Sequence, residues 1–164
     1  MIFVTVGNAR QPFDRLISAV ERAVDAGVIT GEVVVQHGHS RAPRVGTVRR
    51  TFDRGEFEGC LRRARIIICH AGVGSVLDSL RHGKRPIVMA RRKPLDEMVN
   101  NHQVDLATKL GMLGLVFVVE NAEEIAACLR RPPGDFTVDP PAPNPEPLRV
   151  VREFLGAVEA NRER

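Results

Sequence analysis

The sequence predicts a single α/β domain with a Rossmann-like, mostly parallel sheet, and three observations support this fold class. Short apolar runs of strand length alternate with segments of helical periodicity from residue 2 to about residue 130. The run at residues 66–69 is apolar without interruption, as a parallel strand buried on both faces requires. The 164 residues, 43% of them hydrophobic, are enough for one full core rather than two.

The individual elements follow from local patterns along the chain. Short apolar runs predict strands at residues 2–6, 32–36, 66–69, 86–90 and 115–119. Helical spacing predicts helices at about 12–26, 55–63, 75–82, 100–110 and 122–130. In the first helix the apolar residues Phe13, Leu16, Ile17, Val20 and Val24 share one face. Gly83 ends the helix at 75–82, and residues 37–52 form a less regular stretch.

The composition changes after residue 131, which marks the predicted end of the domain at 1–131. Seven of the eleven prolines lie between Pro132 and Pro147, so residues 132–147 are predicted to be an extended linker. Residues 148–164 contain a short amphipathic helix, from about 148 to 161. Such an apolar stripe either folds back on its own domain or docks on a partner.

Composition also narrows the classes of partner. The 24 Lys and Arg against 20 Asp and Glu favour anionic partners. With seven Phe and no Trp or Tyr, the chain lacks basic stretches interleaved with aromatic residues, so we expect no nucleic-acid binding. No apolar run approaches the roughly 20 residues that span a bilayer, and the N-terminus predicts a strand rather than a leader, so we expect a cytoplasmic protein.

Cysteine and histidine usage indicates neither disulfides nor a metal. The three cysteines (Cys60, Cys69 and Cys128) are scattered and fit small core residues in a reducing compartment. His37 and His39 stand close together, but no third ligand lies near them in sequence. We therefore expect no metal and no other cofactor.

The strongest site signal is the glycine loop that joins the strand at 66–69 to the next helix. Gly72 and Gly74 allow a sharp turn and a close approach of the backbone to a ligand. The helix beginning near Ser75 directs unpaired N–H groups and a partial positive charge to the same place. The N–H groups of Gly72, Val73, Gly74 and Ser75 therefore suit a diphosphate.

Two further side chains of this segment have alternative interpretations. Asp78 suits a ribose diol, because a carboxylate accepts two hydrogen bonds, but Ser75 and Asp78 are also compatible with a mere helix cap. His70 is the candidate catalytic residue as a donor to phosphate. The alternative is a buried imidazole with a structural role.

Two other loops are expected at the same sheet edge, because the carboxyl ends of parallel strands meet there. Gly7 and Asn8 follow the first strand, as a ligand-binding turn or an ordinary one. Asn101, His102 and Gln103 begin the helix at 100–110 and either cap it or bind sugar hydroxyls, since amides both donate and accept. The cations at 91–93 meet a phosphate or an acidic sugar, or lie in a solvated loop.

The order and spacing of these motifs resemble those of a known family. The segments FVTVG at 3–7, ICHAGVGSVLDSLRHGKRPIVMARR at 68–92 and NNHQVDLA at 100–107 are similar to the family 28 glycosyltransferase C-terminal domain, the UDP-sugar half of MurG-type enzymes. The resemblance covers about residues 1–130. It extends to stand-alone donor subunits, as in bacterial exopolysaccharide glycosyltransferases and the dolichol-pathway UDP-GlcNAc transferase.

The resemblance implies a fold, an activity and roles for particular residues. It implies the C-terminal half of a GT-B enzyme, with the loop at 70–75 on the diphosphate and Asp78 on the ribose, where the family usually has Glu. It assigns Asn101, His102 and Gln103 to the sugar hydroxyls. A separate membrane-associated chain supplies the acceptor half in the stand-alone subunits.

The expected function is therefore that of a donor-binding subunit of an inverting UDP-sugar glycosyltransferase. Its acceptor is expected to be lipid-linked, and its partner is expected to hold it at the inner face of the membrane and to provide the general base. Two alternatives remain open from the sequence. One is a UDP-sugar sensor or scaffold without chemistry, and the other is a relative of sugar-nucleotide epimerases.

Overall fold

Six parallel strands form one sheet in the computed structural model, which describes residues 1–138. The strands are β1 (Ile2–Thr5), β2 (Val33–Gln36), β3 (Thr47–Arg49), β4 (Ile66–His70), β5 (Ile87–Met89) and β6 (Phe117–Val118). Their order is β3-β2-β1-β4-β5-β6, and each neighbouring pair is parallel. The predicted fold class is confirmed, since strands and helices alternate as the sequence patterns indicate.

Helices cover both faces of this sheet. They are α1 (Asp14–Asp25), α2 (Arg54–Arg63), α3 (Val73–Arg81), α4 (His102–Met112) and α5 (Ala122–Leu129). One core cluster joins α1 and α5 to alternate strand residues such as Val4 and Ile68. The other joins α2, α3 and α4 to the intervening residues, such as Phe3 and Ile67. Because successive strand residues point to opposite faces, the unbroken apolar strands serve both cores.

Two elements differ from the sequence-based expectation. Strand β3 lies inside the stretch at 37–52 that was expected to be irregular. It is an edge strand with mostly exposed residues, paired with β2, so no apolar run marks it. Helix α3 begins at Val73 with Gly72 as its N-cap, two residues before the predicted start near Ser75.

The beginning of the predicted linker packs on the domain instead of extending away from it. A 3-10 turn spans Pro133–Phe136, and Phe136 is fully buried with its ring edge-on to Phe117, 5.4 Å between centroids. Thr137 forms an antiparallel bridge with Lys84. A proline-rich composition does not prevent one aromatic side chain from anchoring the segment. Residues 139–147 of the linker and the helix predicted within 148–164 lie outside the described residues.

Among residues 1–138, no helix is both long enough and apolar enough to cross a membrane.

Candidate functional site

A cavity of about 440 Å³ lies at the carboxyl edge of the sheet, between β1 and β4. The chain runs from β1 outward to β2 and β3 on one side, and from β4 to β5 and β6 on the other. Connections that leave in opposite directions open a crevice at such a reversal point, which is where open α/β sheets bind ligands. The cavity brings together these residues of the first two predicted loops: Gly7, Asn8, His70, Gly72, Gly74, Ser75 and Asp78.

Two glycines enclose the imidazole of His70. Gly7 has a φ of +74°, and a Cβ built on it would lie 2.5 Å from the His70 ring. A Cβ on Gly72 would lie 2.1 Å from Nε2 of the same ring. Any side chain at either position would therefore displace the imidazole, so both glycines are required for close packing as well as for the turn.

The environment of His70 keeps its side chain neutral at physiological pH. Burial lowers the pKa of His70 to about 4, the positive charge of Arg91 acts in the same direction, and the backbone of Thr5 opposes them. Among the described residues, the buried Nδ1 atom has no hydrogen bond of ordinary geometry. The ring also lines the cavity, so the role of His70 as a donor to phosphate stays a prediction beside the alternative of a buried structural imidazole.

The N-terminus of α3 faces the cavity without a side-chain cap. The N-cap is Gly72, and within residues 1–138 no side chain accepts a hydrogen bond from the first turn. The first hydrogen bond back along the helix runs from the Val76 N–H to the Gly72 carbonyl, at 3.1 Å. The interpretation of Ser75 and Asp78 as a helix cap is therefore wrong. The N–H groups of the first turn, with Ser75 beside them, remain directed at the crevice.

The carboxylate of Asp78 is buried and held by two arginines. Its Oδ2 accepts a hydrogen bond from Arg54 Nη1 at 3.0 Å, and its Oδ1 accepts one from Arg81 Nη1 at 3.1 Å. The Arg54 Nε also donates to Glu58, at 2.7 Å. Since each carboxylate oxygen can accept more than one hydrogen bond, Asp78 keeps capacity for a ligand while the arginines fix its position.

The start of α2 forms the remaining wall of the cavity. The helix is predicted from the sequence, but its place at the cavity is not. Asp53 accepts from the Glu56 N–H while Glu56 accepts from the Asp53 N–H, a complete capping box. Phe52 and Phe57 flank this box and pack edge-on against Phe3, with centroids 6.0 and 5.3 Å apart. The Asp-x-x-Glu spacing at 53–56 is the sequence feature that indicates this helix start. Thr5, Gln36, Phe52, Asp53, Arg54 and Phe57 also line the cavity.

The third predicted loop lies outside the cavity lining. Within the described chain, Asn101, His102 and Gln103 are absent from the residues that line it. Gln103 is largely buried and accepts from the Arg91 N–H at 3.2 Å, while Asn101 accepts from the Lys93 N–H at 3.0 Å. Their assignment to sugar hydroxyls stays a prediction.

Arg91 has a structural role that neither sequence-based alternative anticipated. It is fully buried and donates to the carbonyls of Val6, Gln11 and Glu97, at 2.8, 2.7 and 3.0 Å. Burial lowers its pKa to about 10, so it stays charged at neutral pH. Arg91 therefore ties the loop after β1 to the loop after β5, and it is neither solvated nor free to meet a phosphate. The neighbouring Arg92 pairs with Glu120.

Within 1–138 there is no group of three or more His, Cys, Asp or Glu side chains placed to hold a metal ion. The Nδ1 of His37 is instead 2.8 Å from the Ser40 carbonyl oxygen.

Comparison with known proteins gives matches of three kinds. The family model described as glycosyltransferase family 28 C-terminal domain matches residues 1–131. The UDP-N-acetylglucosamine transferase subunit ALG13 of Eremothecium gossypii is 29% identical over 167 residues, covering 79% of this chain and 80% of that relative. The subunit of the same name from Yarrowia lipolytica is 46% identical over 55 residues, 34% of this chain and 26% of the relative.

Other matches cover much smaller parts of the proteins concerned. The ALG13 subunit of Homo sapiens is 31% identical over 126 residues, which are 71% of this chain but 11% of the relative. Among solved structures, the calicheamicin glycosyltransferase CalG4 aligns with a TM-score of 0.58 and 17% identity, over 93% of this chain and 37% of that one. At that identity the structural similarity shows the fold alone, which is that of a GT-B half domain.

Proposed function

Because the chain belongs to the glycosyltransferase family 28 C-terminal domain family, we propose that it is the donor-binding catalytic subunit of an inverting UDP-sugar glycosyltransferase. Its acceptor is lipid-linked, in polysaccharide or glycan biosynthesis. Relatives named UDP-N-acetylglucosamine transferase subunits make UDP-N-acetylglucosamine the first donor to test. The observation that supports this role most is the cavity between β1 and β4, where a glycine turn and the uncapped start of α3 meet.

The diphosphate of the donor fits the glycine-lined part of this cavity. The first-turn N–H groups of α3 have no partner within the helix, and the helix dipole adds a partial positive charge there. Ser75 and Asn8 line the same wall and offer side-chain donors. Arg54 is the cationic side chain among the described lining residues, so it offsets part of the negative charge.

The nucleoside fits the opposite part, toward α2. Asp78 is buried, fixed by Arg54 and Arg81, and accepts from both ribose hydroxyls. The half-buried Phe52 ring, braced against Phe3, offers a flat apolar surface for the base. In this proposal the anion-binding turn meets the diphosphate, the carboxylate meets the ribose and the aromatic ring meets the base, which are the three parts of a nucleoside diphosphate.

The chemistry requires stabilisation of a leaving group. The acceptor oxygen attacks the anomeric carbon opposite UDP, the bond from that carbon to the phosphate oxygen breaks, and charge develops on the β-phosphate. The N–H groups at the start of α3 stabilise that charge. The neutral His70 donates one N–H from Nε2 to a phosphate oxygen, and the anion in turn raises the pKa of His70.

The acceptor pocket and the general base come from a partner chain. Of the two carboxylates lining the cavity in the described residues, Asp53 caps α2 and Asp78 is paired with arginines. Neither is poised to take a proton from an acceptor hydroxyl. A membrane-associated acceptor-half subunit supplies these parts and holds the complex at the inner face of the membrane.

Calorimetric titration with UDP tests the site. Wild-type protein is expected to bind UDP, whereas Gly72→Ala is expected to lose at least about tenfold in affinity, because its Cβ would lie 2.1 Å from His70 Nε2. Gly31→Ala is the matched control, since a Cβ there meets nothing within 4 Å. Failure of the wild-type protein to bind UDP, or equal losses in the two variants, would contradict the proposal.

A further inference from the structure

A series of hydrogen bonds at the cavity wall includes two residues that the proposed function does not use, Thr5 and Gln36. Thr5 and Gln36 are register partners at the ends of β1 and β2, and both are buried, with 0% and 3% exposure. The Gly7 N–H donates to Thr5 Oγ1 at 3.2 Å, and Thr5 Oγ1 donates to Gln36 Oε1 at 2.6 Å. Gln36 Nε2 then donates to Asn8 Oδ1 at 3.0 Å.

The direction of this series of hydrogen bonds follows from its first donor, the Gly7 N–H. A backbone N–H can only donate, so Gly7 occupies an acceptor site of the Thr5 hydroxyl, whose hydrogen is then free to point at Gln36. The 2.6 Å separation is typical of an O–H···O hydrogen bond. The oxygen of the Gln36 amide is thereby engaged, which leaves its NH₂ group for Asn8.

The last side chain in this series of hydrogen bonds, that of Asn8, is the one placed to meet a ligand. Asn8 is exposed and lines the cavity, and its Oδ1 is already an acceptor for Gln36. Its Nδ2 makes no hydrogen bond within residues 1–138. An asparagine without such support would present either oxygen or nitrogen to the cavity, and an oxygen facing a phosphate would be repelled.

We propose that Thr5 and Gln36 are positioning residues that fix the Asn8 amide with its NH₂ group toward the cavity, so that Asn8 acts there only as a donor to an anionic ligand. This inference rests on the proposed function for the identity of that ligand as a nucleoside diphosphate. Thr5 and Gln36 act through Asn8 rather than by touching the diphosphate themselves. Their contribution should therefore vanish when Asn8 is absent.

A double-mutant cycle measures this dependence, with UDP as the probe and calorimetry as the measurement. Asn8→Ala is expected to lower UDP affinity about tenfold, as for a hydrogen bond to a charged group. Gln36→Met keeps the length of the side chain but removes both amide groups, and it is expected to lower affinity about fivefold. In the Asn8→Ala background, Gln36→Met should cause no further loss beyond about twofold.

Conservative and control variants separate positioning from general support of the fold. Thr5→Ser keeps the hydroxyl and should bind UDP like the wild type, whereas Thr5→Val should resemble Gln36→Met. Ser40→Ala removes another buried hydrogen bond, the one that Ser40 Oγ accepts from the Phe13 N–H at 2.7 Å, outside the cavity lining. It should leave UDP affinity unchanged.

The outcomes distinguish this inference from the function on which it rests. Equal losses from Gln36→Met in both backgrounds, or no loss in either, would overturn the positioning role while UDP binding by the wild type stands. Absence of UDP binding by the wild type would instead count against the proposed function. If Gln36→Met does not fold, Gln36→Glu replaces it, because two acceptor oxygens force the Asn8 amide to turn its NH₂ group away from the cavity.

Discussion

At the scale of single residues, neighbouring side chains fix the position of the groups that line the cavity, and Asp78 is the clearest case. Its two oxygens accept from Arg54 and Arg81, yet both arginine side chains are more than half exposed. Removal of the carboxylate would leave cations that water can solvate, so the fold should tolerate the change. The two arginines hold the carboxylate in one orientation at the cavity wall.

Asp78→Ala is therefore expected to weaken UDP binding without unfolding the domain. The loss should be about 1.5–3 kcal/mol, the range for hydrogen bonds to a charged group. Titration calorimetry with UDP measures it, and Asp25→Ala is the control, since it removes an exposed carboxylate at the end of α1 that faces Arg44 in the segment between β2 and β3. Unchanged affinity in folded Asp78→Ala protein would assign Asp78 to the arginine network alone.

Gln103 tests the sugar end of the proposed site. Gln103→Ala is expected to reduce binding of UDP-N-acetylglucosamine while UDP itself binds nearly as before, because UDP lacks the hexose that this amide is proposed to contact. Competitive titration of the two ligands gives the ratio. Equal losses for both would mean that the hydrogen bond from the Arg91 N–H to Gln103, at 3.2 Å, is the whole of its role.

At the scale of elements, strands and helices with strong apolar patterns could be predicted, and exposed or polar ones could not. The unbroken run of β4 and the helical spacing in α1 mark buried faces directly. Strand β3 has no buried face of its own and depends on pairing with β2. The glycine loop before α3 identified half of the cavity.

The other half of the cavity depends on tertiary structure. Phe52 and Arg54 reach it because α2 packs beside α3, which no local pattern specifies. The role of Arg91 also depends on tertiary structure. A charged residue in a basic run does not indicate that it will be buried and will donate to three backbone carbonyls. Sequence patterns therefore predicted where the candidate cavity lies, and tertiary packing determined which further residues line it.

Helix α1 is tied to the segment between β2 and β3 by a buried carboxylate. Glu21 Oε2 accepts from Arg41 at 2.5 Å and Oε1 accepts from the Arg44 N–H at 2.8 Å. The hydrogen bond from Arg41 lowers the pKa of Glu21 from 4.5 to about 2, with the Arg44 N–H contributing, against the opposing effect of burial. A depressed folded-state pKa stabilises the fold above the unfolded value, and this contribution is lost as pH falls.

Glu21→Gln should therefore lower the free energy of unfolding by about 2 kcal/mol at pH 7. The difference from the wild type should persist down to about pH 4.5 and then shrink toward zero as pH falls through about 2, below which residue 21 is neutral in both proteins. Urea denaturation across this pH range measures it. A difference that did not change with pH would mean that shape, rather than charge, accounts for the role of Glu21.

At the scale of the whole molecule, the proposed function assigns this chain to one half of a two-part enzyme. The cavity holds the groups proposed to bind a nucleoside diphosphate, but its two carboxylates within residues 1–138 are engaged in a helix cap and in ion pairs. A GT-B site lies in a cleft between two half domains, so a single donor half leaves the acceptor pocket and the water-excluding wall unbuilt. Binding without turnover is the behaviour expected of the isolated chain, and a pure sensor would show the same behaviour alone.

The proposed partner-dependent transfer is tested by release of UDP from UDP-N-acetylglucosamine, with and without a purified membrane-associated acceptor-half subunit and its lipid acceptor. The chain alone is expected to bind the donor without releasing UDP above background. With the partner and acceptor, UDP release should match transfer of the sugar and should be lost with Gly72→Ala. Robust transfer by the chain alone, or donor binding with no transfer when the partner and acceptor are present, would contradict it.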